Sequence, residues 1–544
     1  MASRQRQRRQ AGQGIYGQDN PAPTGDTSSI ESYKVVCKGG LVKNESVINH
    51  TDGEAIELQN YEPNILGGYA RVLGFNKYDS NFVPGTAAAN SGNIIGLYVF
   101  KSGSEIIACR GDRVNKSSGS GWTDLNAASR STGAVKYRFT RFNWTGTEQI
   151  VMTDETNNAA SYDGTTFTRL NGAGAPSNPK YCAAHRGRLF LGGYTSNAGA
   201  ITYSAVNDET DWSAAGGAGE IVIGDTIVNL ISFRERLIIF CANSIWQLQG
   251  ISTTGTDAFF LSPITRNLGC VHSDSVQEFG GDVIFLAHDG IRTIAGTERI
   301  DDIEIGVISR NITTVLNRVQ TFTNVASLTL KEKSQYRLLF SNVSTTHAQS
   351  EGVIGGIRRQ DQPGIVQGNS QSGIWEWGQL KGFKAIVAAS GDIGSNEYNV
   401  FANENSYVYR METANSLDGS DIESIYRTPD LDMGDVAIRK TLHRVRIYHT
   451  FGGTTSVAMS VLYDFWDTTV AQPAEYTITD GGSSSVYGTA VYGTAVYGAQ
   501  LAPTQRKNTE GSGFTIGLRF YAMDTNAPHT IQGFVFEVVA GGRN

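Results

Sequence analysis

From Tyr33 to about residue 411 the chain alternates apolar and polar positions in short runs, and each run stops at Gly, Asn or Asp. Alternation at period two marks half-buried strands. The clearest runs are Ile94–Phe100, Glu105–Cys109, Tyr137–Phe142, Gln149–Thr153, Ile227–Phe233, Arg236–Ala242, Asp282–Leu286, Gln335–Phe340, Lys384–Ala388 and Ser406–Arg410. Helical periodicity is confined to the neighbourhood of Ile303–Val319.

The runs group into units that end alike, with a Gly, Asp or Asn turn and then a short strand carrying an aromatic or branched residue. The endings are Gly121–Leu125, Tyr162–Phe167, Ala200–Tyr203, Asn243–Trp246, Asp289–Arg292, Gly373–Trp375 and Asn405–Tyr409. They recur about every 40 residues, the length of a four-stranded blade. The prediction is an all-β fold in which residues 91–411 form a β-propeller of about seven blades. Residues 34–90 are read as an N-terminal β segment packing on or closing it; an array of β-sandwiches is the alternative. After Ser420 the strands lengthen, as at Ile438–His449 and Thr530–Val539, which predicts an additional C-terminal β-sandwich-like domain over 412–544.

Two segments break the pattern. Residues 486–498 repeat Val-Tyr-Gly-Thr-Ala at period five, so Tyr487, Tyr492 and Tyr497 cannot share one face of a strand. They are read as an exposed, tyrosine-rich loop for partner contact, against the plainer reading of a decorated surface loop. Residues 1–33 are polar and carry Arg4, Arg6, Arg8 and Arg9, which reads as a flexible basic arm, either a solvated tail or a contact to an acidic partner.

Composition sharpens this picture. The 63 Gly against 12 Pro, with 23 Tyr and 23 Phe, fit short strands and tight turns and exclude a helical bundle or a coiled coil. Lys and Arg number 45 against 52 Asp and Glu, a net charge of −7, so the body should not wrap nucleic acid by neutralising phosphates. The five cysteines, Cys37, Cys109, Cys182, Cys241 and Cys270, are far apart in apolar context and read as buried thiols of a reducing compartment. No signal-peptide core and no membrane-length apolar run occurs, so no membrane segment and no secretion by that route are expected.

Candidate chemistry is sparse. Gly12-Gln-Gly14-Ile-Tyr-Gly17 matches a dinucleotide fingerprint, but no strand feeds it and no helix follows. The eight histidines never cluster at ligand spacing, and the acidic groups Asp208-Glu209 with Asp211, Asp301-Asp302 and Asp430 with Asp432 and Asp435, whose chemistry could suit Ca²⁺ or a glycosidase pair, lie in turn-like sequence, where Asp more often caps its own backbone. Ser161–Phe167 is similar to the Asp-box turn of sialidase propellers, yet its spacing is that of a plain Asp-Gly hairpin. No catalytic residue, metal site or cofactor is expected, and the chain reads as a non-enzyme.

One constellation remains. Lys38–Leu41, Ala55–Tyr61 and Leu66–Phe75, then Tyr181–Phe190, Tyr203-Ser204, Asp211-Trp212-Ser213, Leu230–Phe240 and Ile245-Trp246-Gln-Leu-Gln-Gly250, and finally Ile531-Gln-Gly533 with Gly542-Arg543, follow one another in order. That succession resembles the nozzle or tail tubular proteins of short-tailed bacteriophages, also called head-closure or packaged-DNA stabilisation proteins. The resemblance implies a structural virion protein of the tail, assembled in the host cytoplasm. It further implies a six-fold homo-oligomeric ring below the portal and adaptor that lets double-stranded DNA pass without gripping it and docks tail fibres or spikes. The alternatives are another virion part, such as a collar or fibre-attachment protein, and a propeller-type glycan hydrolase. Arg439, Lys440, Arg444 and Arg446 form the densest basic stretch of the body and are read as lining the channel or pairing with acids at a subunit interface, with Arg444 and Arg446 on one strand face opposite Val445 and Ile447.

Overall fold

The computed structural model describes residues 30–64, 67–85, 92–100, 104–118, 121–129, 131–144, 146–250, 259–295, 307–342, 346, 349–358, 374–453, 455–479 and 504–543. It is all-β, with 54% strand and 5% helix. The chain divides into two compact units, one of Val72–Ile422 with Met523–Thr525, the other of the chain up to Arg71 with Glu423–Ala522 and Asn526 to the end. The segment expected as 34–90 is therefore shared between the two. Where helix was expected, near Ile303–Val319, the described residues form only single turns at Arg310–Ile312, Thr313–Leu316 and Val319–Thr321.

The first unit is a propeller of antiparallel sheets. Its first blade runs Ile94–Phe100, Glu105–Arg110, Arg113–Ser118 and Gly121–Asp124, each strand pairing with the next. Later blades repeat the order from inner strands Arg138–Phe142, Tyr181–His185, Ile227–Phe233, Asn324–Leu330 and Val387–Ile393. The second strands are packed on both faces by neighbouring blades, which is why Leu237-Ile-Ile-Phe-Cys241 is apolar without alternation and wholly buried. Some hairpins use two-residue turns: His185 pairs with Arg188 across Arg186 (φ 46°) and Gly187 (φ 73°), the doubly left-handed geometry that matches strand twist.

The expected count of about seven blades is corrected. Among the described residues six four-stranded blades form, and between the fourth and the next lies a sheet with three described strands, Gln277–Phe279, Asp282–Ala287 and Gly290–Thr293. Among the described residues its outer place holds one bridge, Arg292 to Val307. A turn-and-strand ending such as Asp289–Arg292 marks a unit whether or not a fourth strand follows it, so endings overcount complete blades. The last blade takes its outer strand from the other end of the unit: Gly74–Lys77 pairs with Val408–Ala414. Phe75 on that strand packs edge-on against Phe383, Phe401 and Tyr409 at centroid distances of 5.3, 4.8 and 5.3 Å.

The second unit has two sheets. In one, Ile438–Phe451 pairs with His529–Arg543, which pairs in turn with Glu31–Val36. The other runs Glu57–Gln59, Ile422–Arg427, Ile516–Asp524, Ser456–Tyr463 and Tyr476–Thr479. Their apolar rows meet, with Tyr426 stacked on Phe520 at 5.7 Å and Phe520 in turn 6.3 Å from Phe534. All five cysteines are buried and none is in a disulfide; burial pushes the Cys182, Cys241 and Cys270 thiols up to about 12.

Because Phe75 locks the strand that completes the last blade, Phe75→Ala should destabilise the propeller unit by about 3–5 kcal/mol, the range for emptying an aromatic core site. The measurement is the shift in urea midpoint; a change under about 1 kcal/mol would mean that the ring holds without this strand.

Candidate functional site

The inner strands surround the propeller axis, and the charged residues there come from segments far apart in sequence. Lys136, Arg138 and Thr140 alternate onto one side of the second blade's inner strand. Opposite them stands Asp274, in the single turn Ser273–Ser275 that precedes the three-stranded sheet. Three side chains hold that turn: the His272 ring accepts from the Asp274 N–H at 3.3 Å, Asn229 Nδ2 donates to the Ser273 carbonyl at 2.6 Å, and Ser327 Oγ donates to the Asp274 carbonyl at 2.6 Å.

So fixed, the Asp274 carboxylate lies 2.7 Å from Lys136 Nζ and 3.4 Å from Arg138 Nε. Arg138 also pairs with Glu155 at 2.6 Å, donates to Ser273 Oγ at 3.1 Å and covers the Tyr181 ring at 4.9 Å. Lys136 Nζ reaches the carbonyls of Val325 and Ile386 at 3.5 and 3.4 Å. The network thus ties the second blade to the three-stranded sheet and to the two blades after it. Burial alone would raise the Asp274 carboxyl, but the charges of Arg138 and Lys136 outweigh it and hold the group well below the carboxylate range. Burial would likewise lower Arg138, and Asp274, Tyr181 and Glu155 reverse that.

Beside the network a polar cavity of about 540 Å³ includes Thr140, Asn229, Ser232 and Gln277 in its lining, and a second space of about 1080 Å³ lies toward the C-terminal ends of the inner strands, at Thr329 and Ser390–Asp392. A carboxylate held fully ionised between two cations is poorly matched to proton transfer near neutral pH, which needs a group poised close to the working pH. What the arrangement does is bridge the axis. Among the described residues no group of three or more His, Cys, Asp or Glu is placed to hold a metal ion, and no helix is long and apolar enough to cross a membrane.

A second buried construction uses the sequence landmarks of the third blade. Arg188 is buried and donates to the carbonyls of Ser204 at 2.6 Å and Gly217 at 2.8 Å, with its guanidinium 5.2 Å from the Tyr203 ring. Ser204 Oγ accepts from the Leu189 N–H at 3.1 Å, Asp211 caps Ser213, and Ser213 caps Gly216. Trp212 fills the cluster that contains Phe142, Val151 and Leu189. His185 closes the inner strand with Nδ1 2.8 Å from Ser232 Oγ; burial, helped by the neighbouring Arg186 charge, lowers it to about 4.

The residues singled out from sequence fall elsewhere. Arg4, Arg6, Arg8, Arg9, Tyr487, Tyr492 and Tyr497 lie outside the described residues, as do Gly12–Gly17 and Asp301-Asp302. Arg439, Lys440, Arg444 and Arg446 belong to the second unit, not to the strands around the propeller axis. Arg444 and Arg446 do share a face opposite buried Val445 and Ile447, and both pair within the chain with Glu537, at 3.1 and 2.9 Å. Lys440 is fully buried on the backbone carbonyls of Asp435 and Phe514, and Arg439 bonds Ser512. Asp163 caps Thr165 and Thr166, as an Asp-Gly turn should. The axial charges were missed in sequence, although Lys136-Tyr-Arg138-Phe-Thr140 does alternate charged or polar positions with aromatic ones.

The fold class is that of a β-propeller joined to a second β unit. No protein-family model matches the chain, and no curated protein matches it. Among solved structures it is similar to the extracellular domain of a hybrid two-component system from B. thetaiotaomicron, at 10% identity and TM-score 0.38 over 62% of this chain and 39% of that one. It is also similar to an ancestral GH74 enzyme (8%, TM-score 0.36, 62% and 51%). PorZ, a bacterial surface component of the type-IX secretion system of Porphyromonas gingivalis, gives 10%, TM-score 0.36, 74% and 56%. The chain spans less than two thirds of the length of each, and at this distance no activity of those proteins carries over.

Two outcomes follow from the site. Asp274→Asn leaves Lys136 without its carboxylate and should cost about 1–3 kcal/mol, less than for a fully buried pair because both side chains keep nearly a fifth of their surface exposed; Lys136→Met in the same chain should restore part of the loss in a chemical denaturation series, and two purely additive losses would refute the coupling. His185 has a folded pKa below its unfolded value near 6.5, so the unfolded chain takes up the proton first and stability falls as pH drops from about 6.5 to about 4. The melting temperature of His185→Gln should therefore fall less than that of the native chain over this window, and parallel curves would remove His185 as a source.

Proposed function

We propose that the chain is a structural virion protein, copies of which form the nozzle ring of a short phage tail below the portal and adaptor, with no catalytic step of its own. The observation that carries the reading is where the family landmarks lie. His185–Phe190, Tyr203-Ser204 and Asp211–Ser213 converge on the Arg188 cross-link and the Trp212 core, so the residues that carry the resemblance are ones that build a blade rather than ones that face a substrate.

The axial network adds a constraint on how such a ring works. A bore bridged by Lys136 and Asp274 at 2.7 Å is no conduit for a duplex, so a DNA path in this reading is bounded by the outer surfaces of several copies. Its net charge of −7 disfavours counterion release, and DNA slides past instead of binding. The second unit is, on this reading, the C-terminal sandwich-like domain with strand Glu31–Val36 added to it, and the tyrosine repeat 486–498 and the ring's flank offer docking surface to fibres or spikes.

Negative-stain images of the purified protein test the proposal. Rings with a central hole wider than a single propeller are expected; a monomer at all concentrations, or a trimeric rod, would overturn it.

A further inference from the structure

One loop of the second unit departs from ordinary backbone. Asp464, Phe465 and Trp466 lie consecutively in the left-handed region, at φ of 51°, 59° and 61°. Side chains avoid that region, and it persists only where the surroundings fix it. Here Asp464 fixes it: Oδ1 accepts from the Phe514 N–H at 2.6 Å and the Thr515 N–H at 3.2 Å, while its own N–H donates to the Thr515 carbonyl at 3.2 Å. Phe465 and Trp466 are left 46% and 50% exposed, and Phe514, whose N–H bonds the same Asp464 carboxylate, is 37% exposed.

The platform has an acidic rim. Asp467, next to Trp466, and Asp432 are exposed; each uses Oδ1 to accept from its own loop, from Thr469 and from the Gly434 N–H, and keeps a second oxygen toward solvent. Beneath it the Lys440 ammonium sits within electrostatic reach of Asp432, Asp435 and Asp464, and burial lowers its pKa. Arg427 already covers Trp466, with its guanidinium 5.5 Å from the ring. Exposed aromatic rings with carboxylates on the same loops suit guanidinium groups, which stack on rings and pair with carboxylates at once.

The chain carries such groups at its own N-terminus. Four arginines lie within the first nine residues, and the described chain begins at Ile30, leaving 29 residues beyond it. The place where they join is close. Glu31 pairs with Val538, Val538 with Leu442, and, two residues along, Lys440 with Gly513, next to Phe514. Three strand spacings separate Glu31 from that edge, roughly 15–20 Å with the offset, whereas 29 residues extend to roughly 95 Å.

We propose that the Phe465, Trp466 and Phe514 platform with its acidic rim binds the arginine-bearing segment, residues 1–29, of the same chain. The contact goes beyond the virion reading, and it is tested in dilute solution whatever becomes of that reading. A labelled peptide of residues 1–29 titrated into the chain lacking them should bind in a salt-sensitive way. Trp466→Ala, and separately Asp432→Asn with Asp467→Asn, should each weaken it at least tenfold with an unchanged melting curve, as should replacing Arg4, Arg6, Arg8 and Arg9 of the peptide by Gln. No binding, or binding indifferent to these changes, overturns the proposal. The full chain gives a second measurement that needs no deletion: a photo-cross-linking residue at Phe514 should capture residues 2–12. In a mixture of isotopically heavy and light copies those cross-links should stay within one copy; capture between copies, or no capture of that segment, overturns it as stated.

Discussion

A ring of sheets creates an axis that its own hydrophobic cores cannot fill, and the Asp274 carboxylate is this protein's answer. Core clusters lie between successive blades, as where Phe240 of one sheet meets Phe285 of the next at 5.1 Å. Those contacts are local to each pair of neighbours. Lys136 and Arg138 reaching Asp274, and Lys136 reaching the Val325 and Ile386 carbonyls, are the contacts that span the ring. Taking two ions out of water costs several kcal/mol each, so their attraction does not by itself make the ring stable. What it does is penalise any arrangement in which these blades are out of place, since each leaves a half-buried charge without its partner.

The same device recurs away from the axis. Arg188, Arg292 and Arg337 are among the largest wholly buried side chains. Arg188 fastens two carbonyls of the third blade, Arg292 is held bidentately by Asp289 at 2.9 and 2.5 Å, and Arg337 meets Glu412 at 2.7 Å. A guanidinium offers five donors in one plane, so it can satisfy the carbonyls that turns leave without a strand partner. Arg188 spends these donors on carbonyls, while Arg292 and Arg337 direct them to the carboxylates of Asp289 and Glu412.

Strands and turns were legible because they depend on neighbours in sequence. The alternation of Arg444 and Arg446 against Val445 and Ile447 is a period-two fact, and their opposite exposure follows from it. Their partner is not legible: Glu537 comes from the last strand, brought alongside by pairing of Ile438–Phe451 with His529–Arg543. The axial site fails for the same reason, since Lys136 and Asp274 meet only once the intervening blades have formed. The blade count was misread because turn chemistry announces a hairpin without saying whether a fourth strand follows. The division of residues 34–90 was hidden too, with Glu31–Val36 pairing to the far end of the chain while Gly74–Lys77 joins Val408–Ala414.

Magnitudes also bear on the Asp464–Trp466 loop. Left-handed backbone costs roughly 1–2 kcal/mol for each residue with a side chain, and three in succession approach the whole worth of a sizeable core substitution. Two hydrogen bonds to the Asp464 carboxylate, at about 1.5–3 kcal/mol each for a charged acceptor, are enough to offset this. The Asp464 anchor and the outward aromatic rings are therefore one feature. Relaxing the backbone would free the carboxylate from the Phe514 and Thr515 N–H groups, and keeping those bonds obliges Phe465 and Trp466 to stay at the surface. Exposure of these rings is thus built into the hydrogen bonding of the unit, where a loop free to fold inward would bury them.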